Sequence, residues 1–389
     1  MHILEATYQI VTPMFIGDAE QKAIDLRPPS VKGALRFWWR ALNWRDFVNR
    51  YSDKAQALQA LHNEEAKLFG IAAHQDVARS NGQGQFLLTL TPTHLSTLQP
   101  SSLPALKNKE GQSYLLGQGL CSHDKRTGHH QYLRSALKAD QKFTVKLCSR
   151  TNAHHRSLAE ALLLFGLLGG LGSRSRRGLG SVAIQSLTGC DNCQVPNNEE
   201  EYKTTLKSLL RSLPADLPPF TAFSEYTRVD ISQTGRDAWN LLEDVGKKMN
   251  DYRSYRKARN FPTDHDLAAD VVQGISVSTH PQRVVFGLPH NYFFTSLQGA
   301  KVDVQPGTSL DRSRRASPLF IHIHTFPKSR DYLAVQTLLP TEFLPSHECI
   351  EFKGKWKGKT FKDKVPVNVD WNVIENFMDR FGTKKVIIP

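Results

Sequence analysis

Lys142–Cys148 (KFTVKLC), His154–Leu168 (HHRSLAEALLLFGLL) and Val182–Leu187 (VAIQSL) decide the fold. In that order they read as strand, helix and strand. Upstream, Phe86–Thr91 reads as a strand and Ala55–Leu68 as a helical stretch. Val31–Val48 reads as a helix that Pro28-Pro29-Ser30 can start. His2–Met14 mixes β-branched and aromatic residues, ends at Thr12-Pro13, and reads as the first strand. The order β, α, β, β, α, β is that of the split βαβ, or ferredoxin-like, unit. Segments near 50–80 and 92–138 are expected as insertions; residues 92–135 are rich in Ser, Gly, His and Leu and show no stable period.

A similar order restarts further on. Asn197-Asn198-Glu199-Glu200-Glu201, then Pro214, Pro218 and Pro219, mark 196–219 as the expected linker. Beyond it come an expected strand near Thr221–Ile231 and a helix from Gly235 to Tyr252. Strands are expected near Arg283–Gly287, Leu319–Phe326 and Tyr332–Leu338, then a helix near Trp371–Phe381 and a last strand at Lys385–Ile388. The expected class is α+β: two tandem ferredoxin-like (RRM-like, βαββαβ) domains, 1–195 and 220–389.

Composition bounds the function. The 389 residues are enough for two domains, and 40% hydrophobic with 22% charged residues excludes a disordered chain. Fifty Lys and Arg against 37 Asp and Glu leave +13, which favours a polyanion as partner. The longest apolar stretch, near Ala161–Leu171, is broken by glycines and far short of a membrane span. The N-terminal residues lack the pattern of a signal peptide, no lipidation motif is present, and five cysteines are too few for a secreted scaffold. A reducing cytoplasm and no membrane partner are expected.

Two segments concentrate the basic charge. In the helix at 31–48, Val31, Leu35, Trp38 and Leu42 share an apolar side, while Lys32, Arg36, Trp39 and Arg40 share another arc. Cations at i, i+4 and i+8 can neutralise consecutive phosphates, and an aromatic among them can stack on a base. The bland alternative is a solvated face, with Trp39 packed on the insertion. Against it, acids are scarce here: only Asp25 and Asp46 lie within 24–50. Arg45 falls on the apolar side, so it either snorkels or marks a frayed end.

The second segment is 166–181, GLLGGLGSRSRRGLGS. Glycines such as Gly170, Gly172 and Gly178 permit close backbone approach and an anion nest; Arg174, Arg176 and Arg177 add bidentate phosphate contacts, with Ser173 before them and Ser175 among them. No Lys stands where a Walker loop needs one, and a helix precedes rather than follows the glycines, so neither nucleotide fingerprint applies. A solvated turn would need fewer glycines.

Weaker signals remain. Arg253, Arg256, Lys257, Arg259, Arg312, Arg314 and Arg315 add basic charge to the second half. Lys353, Lys355, Lys357 and Lys359, interleaved with glycines, read as a hairpin tip of mostly solvated charge. Cys190-x-x-Cys193 has no mate with zinc spacing, His322 and His324 alternate on a strand, and no constellation of nucleophile and base is found. No metal or other cofactor is expected.

Thr12-Pro-Met-Phe-Ile-Gly17, Leu26-Arg-Pro-Pro-Ser-Val-Lys-Gly-Ala-Leu-Arg-Phe-Trp-Trp-Arg40, Leu68-Phe-Gly70 and the glycine loop together resemble the RAMP superfamily proteins of CRISPR systems. Within that superfamily the chain is similar to the first Cmr subunits of type III-B effector complexes. Arg283–Pro289 and Arg314–Leu319 resemble the family's later blocks. The resemblance implies two ferredoxin-like units and a non-catalytic role in an antiviral ribonucleoprotein. The partners would be the guide RNA 3′ region, the target RNA and other RAMP subunits. The residues expected to hold RNA are Arg27, Lys32, Arg36, Trp39, Arg40, Gly170, Gly172, Ser173, Arg174, Ser175, Arg176, Arg177, Gly178, Arg314 and Arg315. One alternative is a metal-independent endoribonuclease that uses His154 or His155 near the glycine loop. Another is a purely structural adaptor.

Overall fold

A computed structural model describes all residues except 19, 24, 72–81, 93, 256–259, 308–313, 383 and 389. The first half runs β1 (His2–Ile10), α1 (Pro28–Val48), α2 (Lys54–Phe69), β2 (Phe86–Thr91), β3 (Thr97–Leu98), α3 (Glu110–Leu116), β4 (Cys121–Asp124), β5 (His129–Tyr132), β6 (Ala136–Leu137), β7 (Lys142–Ser149), α4 (His155–Leu168) and β8 (Val182–Thr188). After α5 (Glu199–Leu209), the second runs β9 (Arg228–Gly235), α6 (Ala238–Arg253), α7 (Pro262–Val272), β10 (His290–Phe294), β11 (Ala300–Gly307), β12 (Leu319–Thr325), β13 (Tyr332–Leu338), β14 (Cys349–Trp356), β15 (Lys359–Val365), α8 (Asn372–Met378) and β16 (Lys385–Ile388).

The strands build mixed α and β architecture with several antiparallel sheets. One has the order β2-β7-β1-β8, another β12-β13-β9-β16, and a third β10-β11-β14-β15. In β1 the alternation of a half-buried strand is plain: Leu4, Ala6, Tyr8 and Ile10 are buried while Ile3 and Glu5 are exposed. Tyr8 donates its hydroxyl to the Leu162 carbonyl of α4 at 2.9 Å, so burial leaves no orphan donor there. The two halves share this core. Phe320, Val229, Ile231, Leu333 and Val335 of the second sheet join the apolar cluster formed by β1, α1 and α4. The other face of β12 (Leu319, Ile321, Ile323) packs with α6 and α8.

Several segments differ from the sequence reading. Residues 196–219, expected as a linker, carry α5. Asn198 caps it by accepting from the Glu201 N–H, and Tyr202, Leu206 and Leu209 are buried at helical spacing. Tyr202 donates to the Leu167 carbonyl at 2.7 Å, which ties this helix to α4. The strand expected near Arg283–Gly287 is a short 3₁₀ helix, Gln282–Phe286. Buried Asp264 captures the N–H groups of Gln282 and Arg283 at 2.7 and 3.1 Å, donors a strand ladder would need. The insertion at 92–138 holds α3 and the β4–β5 hairpin. Gly111 of α3 and Gly246 of α6 meet at a crossing where a Cβ on Gly111 would lie 2.0 Å from the Glu243 carbonyl. The lysine run forms the β14–β15 hairpin, turned at Lys357 and Gly358, both with positive φ (47° and 75°).

Candidate nucleic-acid interface

The glycine loop leaves the C-terminal end of α4 and returns into β8. Its backbone is knitted to the Thr12–Phe15 segment. Ser173 N–H donates to the Phe15 carbonyl (2.8 Å), Gly180 N–H to Pro13 (3.0 Å), and the Thr12 hydroxyl to Gly178 (2.7 Å). Within the loop, Leu171 N–H donates to Gly180 and Arg177 N–H to Arg174. These four backbone donors are committed to the fold and are not free to receive an anion. The glycines answer to packing: a Cβ on Gly172 would lie 2.6 Å from the Phe15 carbonyl, and one on Gly178 2.5 Å from a Leu242 methyl. Gly170 pairs with Ser181 across the neck of the loop.

The three loop arginines have different environments. Arg176 lies over the Phe320 ring at 4.4 Å and near Phe37 at 5.5 Å, and donates to the Ser317 carbonyl. Burial, then repulsion from Arg315, pushes its pKa down to about 10. Arg177 pairs with Ile321 of β12, and its pKa is also pushed down to about 10, by burial and then by Arg253. Both remain charged at neutral pH, but they fasten the loop to the second half. Arg174 is the exposed one. It adopts φ 65° and donates to the carbonyls of Leu116 (3.0 Å) and Gln118 (2.9 Å) in the insertion. Its pKa is lowered, by burial first and then by Arg314, with Arg134 adding to the effect and Cys121 opposing it. Arg134 and Arg314 thus both lie within electrostatic reach of Arg174. Among the described residues no carboxylate pairs with any of the three. Ser173 is exposed beside Arg174, with Ser175 half-buried.

The stripe on α1 is a different case. Arg36 Nε donates to Glu65 Oε1 at 2.6 Å and Arg40 Nη1 to the same oxygen at 3.0 Å, while Arg36 also reaches the Gly70 carbonyl. Glu65 is buried, so α2 supplies the acid that α1 lacks. Trp39 is buried too; it donates to the Ser157 hydroxyl at 3.0 Å and packs edge-on to Phe69. It is a core residue and offers no stacking face, packed on α2 and α4 rather than on the 92–138 insertion. Lys32 sits 5.5 Å from the Phe86 ring centroid, its pKa lowered by burial and then by Arg36. Arg45 neither frays nor floats: it donates to the Leu209 and Arg211 carbonyls, where α5 ends with unpaired acceptors. Arg27 is exposed and donates to the Gly17 carbonyl at 3.2 Å, two residues from the segment that holds Ser173. Arg315 is tied to the Phe343 carbonyl at 2.7 Å and stacks on the Phe343 ring, while Arg314 beside it is exposed.

Arg256, Lys257, Arg259 and Arg312 lie outside the described residues. His154 and His155 open α4, whereas the loop follows its end. Fourteen residues of helix put about 20 Å between them. His154 bonds Glu64 at 2.9 Å and His155 the Gly189 carbonyl. His322 and His324 are fully buried at the junction of the halves. Burial pushes His322 down to about 3 and His324 well below its usual range. Cys190 and Cys193 pair with each other as a disulfide. Arg134 and Glu65 were missed by the sequence reading. Arg134 sits in a stretch without period, and Glu65 became meaningful only once α2 lay against α1.

The chain resembles known proteins in sequence and in fold. Residues 7–183 match the RAMP superfamily. The chain is 25% identical over 380 residues to CRISPR system Cmr subunit Cmr1-1 of Pyrococcus furiosus, covering 91% of this chain and 87% of that protein. It is 26% identical over 196 residues to Cmr1-2 of the same organism, covering 46% of this chain and 93% of that protein. The crystal structure of apo Cmr1 from Pyrococcus furiosus superposes with a TM-score of 0.55 at 19% identity, covering 100% of this chain and 99% of that one. A chain of the type III-B Cmr-beta complex bound to cognate target RNA gives 0.52 at 12% identity, covering 98% of each. Among the described residues no helix is long and apolar enough to cross a membrane. Residues 7–183 carry a RAMP superfamily match, and most of the chain is similar in sequence to the Cmr1-1 subunit of Pyrococcus furiosus.

Proposed function

We propose that this chain is a non-catalytic, RNA-binding subunit of a type III-B Cmr ribonucleoprotein in the cytoplasm. Its partners would be other RAMP subunits, the target RNA and the 3′ region of the guide RNA. The homology to Cmr1, and the likeness to a chain of a Cmr complex solved with target RNA, support the subunit reading. The observation that carries the RNA reading is exposed Arg174, with Arg134 and exposed Arg314 as like charges within its electrostatic reach and no carboxylate partner for the three among the described residues. Such an arrangement is costly until an anion arrives, and phosphate is the anion that Arg forks match. The proposed contact set is Arg27, Ser173, Arg174, Arg314 and Arg134. Arg176, Arg177, Arg315, Gly170, Gly172 and Gly178 position the loop, and Arg36, Trp39 and Arg40 hold α1 to its neighbours.

The fold is read as two ferredoxin-like units. The sheet orders β2-β7-β1-β8 and β12-β13-β9-β16 each place the first strand of a unit between its third and fourth, as the split βαβ pattern requires. The first unit takes 1–195 and the second 220–389, with α5 as a packed connector and β10-β11-β14-β15 as an elaboration of the second.

The test is to mix the purified chain with single-stranded RNA, with and without EDTA, and to follow both retention and strand integrity. Retained, intact RNA is expected. Specific cleavage lost in His154→Ala/His155→Ala would establish the endoribonuclease instead, and no retention at all would favour a structural adaptor.

A further inference from the structure

The sheet β10-β11-β14-β15 has one face packed on α7 through Val302, Val304, Ile350 and Phe352. Its opposite face is open. Register across the four strands sets Phe293, Lys301, Lys355 and Thr360 in one row. Asn291, Asp303, Lys353 and Lys362 form the next, and Gln305, Glu351 and Lys364 the third. Phe293 is 57% exposed on this face, with the Lys301 ammonium 6.0 Å from its ring centroid. The two acids are occupied: Asp303 accepts from Asn291, and Glu351 pairs with Lys353 at 3.1 Å.

Lysines on edge strands are commonly a guard against sheet-to-sheet pairing. That accounts for Lys362 and Lys364 on β15, which is an edge strand, but not for Lys301, Lys353 and Lys355 on the two central strands. Nor does guarding explain a large exposed ring beside them. A positive sheet face with a presented aromatic is the composition that binds single strands, phosphates on the cations and a base on the ring.

We propose that this face is a second nucleic-acid surface, a sequence-tolerant platform for single-stranded RNA with Phe293 as the stacking residue and Lys301 and Lys355 as phosphate contacts. It lies on strands that contribute nothing to the Arg174–Arg314 cluster, so the two surfaces can fail separately.

The experiment is equilibrium binding of a fluorescent oligouridylate to the full chain across a salt titration. The variants are Phe293→Ala, Phe293→Trp, Lys301→Ala/Lys355→Ala and Arg174→Ala. All four positions are at the surface, and an unchanged thermal midpoint verifies folding. Phe293→Ala is expected to weaken binding about tenfold with little change in salt slope, and Phe293→Trp to restore it. Lys301→Ala/Lys355→Ala is expected to make the slope shallower by about 1.4. Wild-type affinity in both Phe293→Ala and the lysine pair overturns the platform, even if Arg174→Ala weakens binding. So does equal weakening toward oligouridylate and polyglutamate with Phe293→Ala silent, which marks a docking face for an acidic protein. Loss in the face variants with Arg174→Ala silent upholds the platform and removes the loop reading.

Discussion

The guanidinium of Arg176 stands 4.4 Å from the ring centroid of Phe320, a residue of the second half, and donates to the Ser317 carbonyl behind it. An arginine in a glycine-rich loop is thus a fastener between halves. Arg176→Ala removes two ring contacts and leaves a carbonyl unpaired, at a cost of about 2–3 kcal/mol. Urea denaturation checks this. The salt slope of RNA binding at a permissive temperature is expected to stay at its wild-type value.

Glu65 neutralises both Arg36 and Arg40 from a buried position. Glu65→Gln leaves two cations facing each other. Because the arginine side chains are about one-third exposed, water screens part of the loss, and the expected destabilisation is about 2–3 kcal/mol rather than the larger figure for a fully buried pair. Equilibrium denaturation would measure it. Gain of RNA affinity without loss of stability would show that the stripe was held in reserve rather than structurally tied.

At the crossing of α3 and α6, a Cβ on Gly246 would lie 2.3 Å from the Gly111 carbonyl, a backbone atom that no rotamer change can move. Gly246→Ala is expected to cost about 1–3 kcal/mol by overpacking. The nearby β4–β5 hairpin should then become more accessible to limited proteolysis, since the insertion is anchored at that crossing.

His322 and His324 are buried and neutral, with folded-state pKa values below the unfolded value of about 6.5. The unfolded chain therefore binds more protons below that pH. Their contribution to stability is fully present above about pH 6.5 and falls by about 1.4 kcal/mol per pH unit per imidazole as pH drops toward the folded pKa. Denaturation midpoints measured from pH 8 to 5 should decline, and a His322→Gln/His324→Gln variant should show a flatter decline.

Much of the scaffold was legible because its strands and helices obey local rules. Phe86–Thr91 and Lys142–Ser149 alternate, and α1 opens at Pro28-Pro29. The elements β10, β11 and α7 were not seen, although β11 alternates plainly, with Val302 and Val304 buried and Lys301 and Asp303 exposed; β10 is only five residues long. The 3₁₀ helix at Gln282–Phe286 depends on Asp264, eighteen residues away, which no local window can weigh. The candidate site was legible as charge but not as arrangement. Composition marks Arg36, Arg40, Arg174 and Arg176 alike. Only packing separates the pair held by Glu65, the fastener at Phe320, and the cation that faces outward.

That separation gives the most direct test of the RNA-binding claim: the salt dependence of RNA affinity for wild type and for Arg174→Ala/Arg314→Ala. If the exposed cluster contacts phosphates, the slope of log affinity against log salt becomes shallower by about 1.4 in the double variant, the loss being similar for unrelated single-stranded sequences. An unchanged slope at unchanged affinity would contradict it.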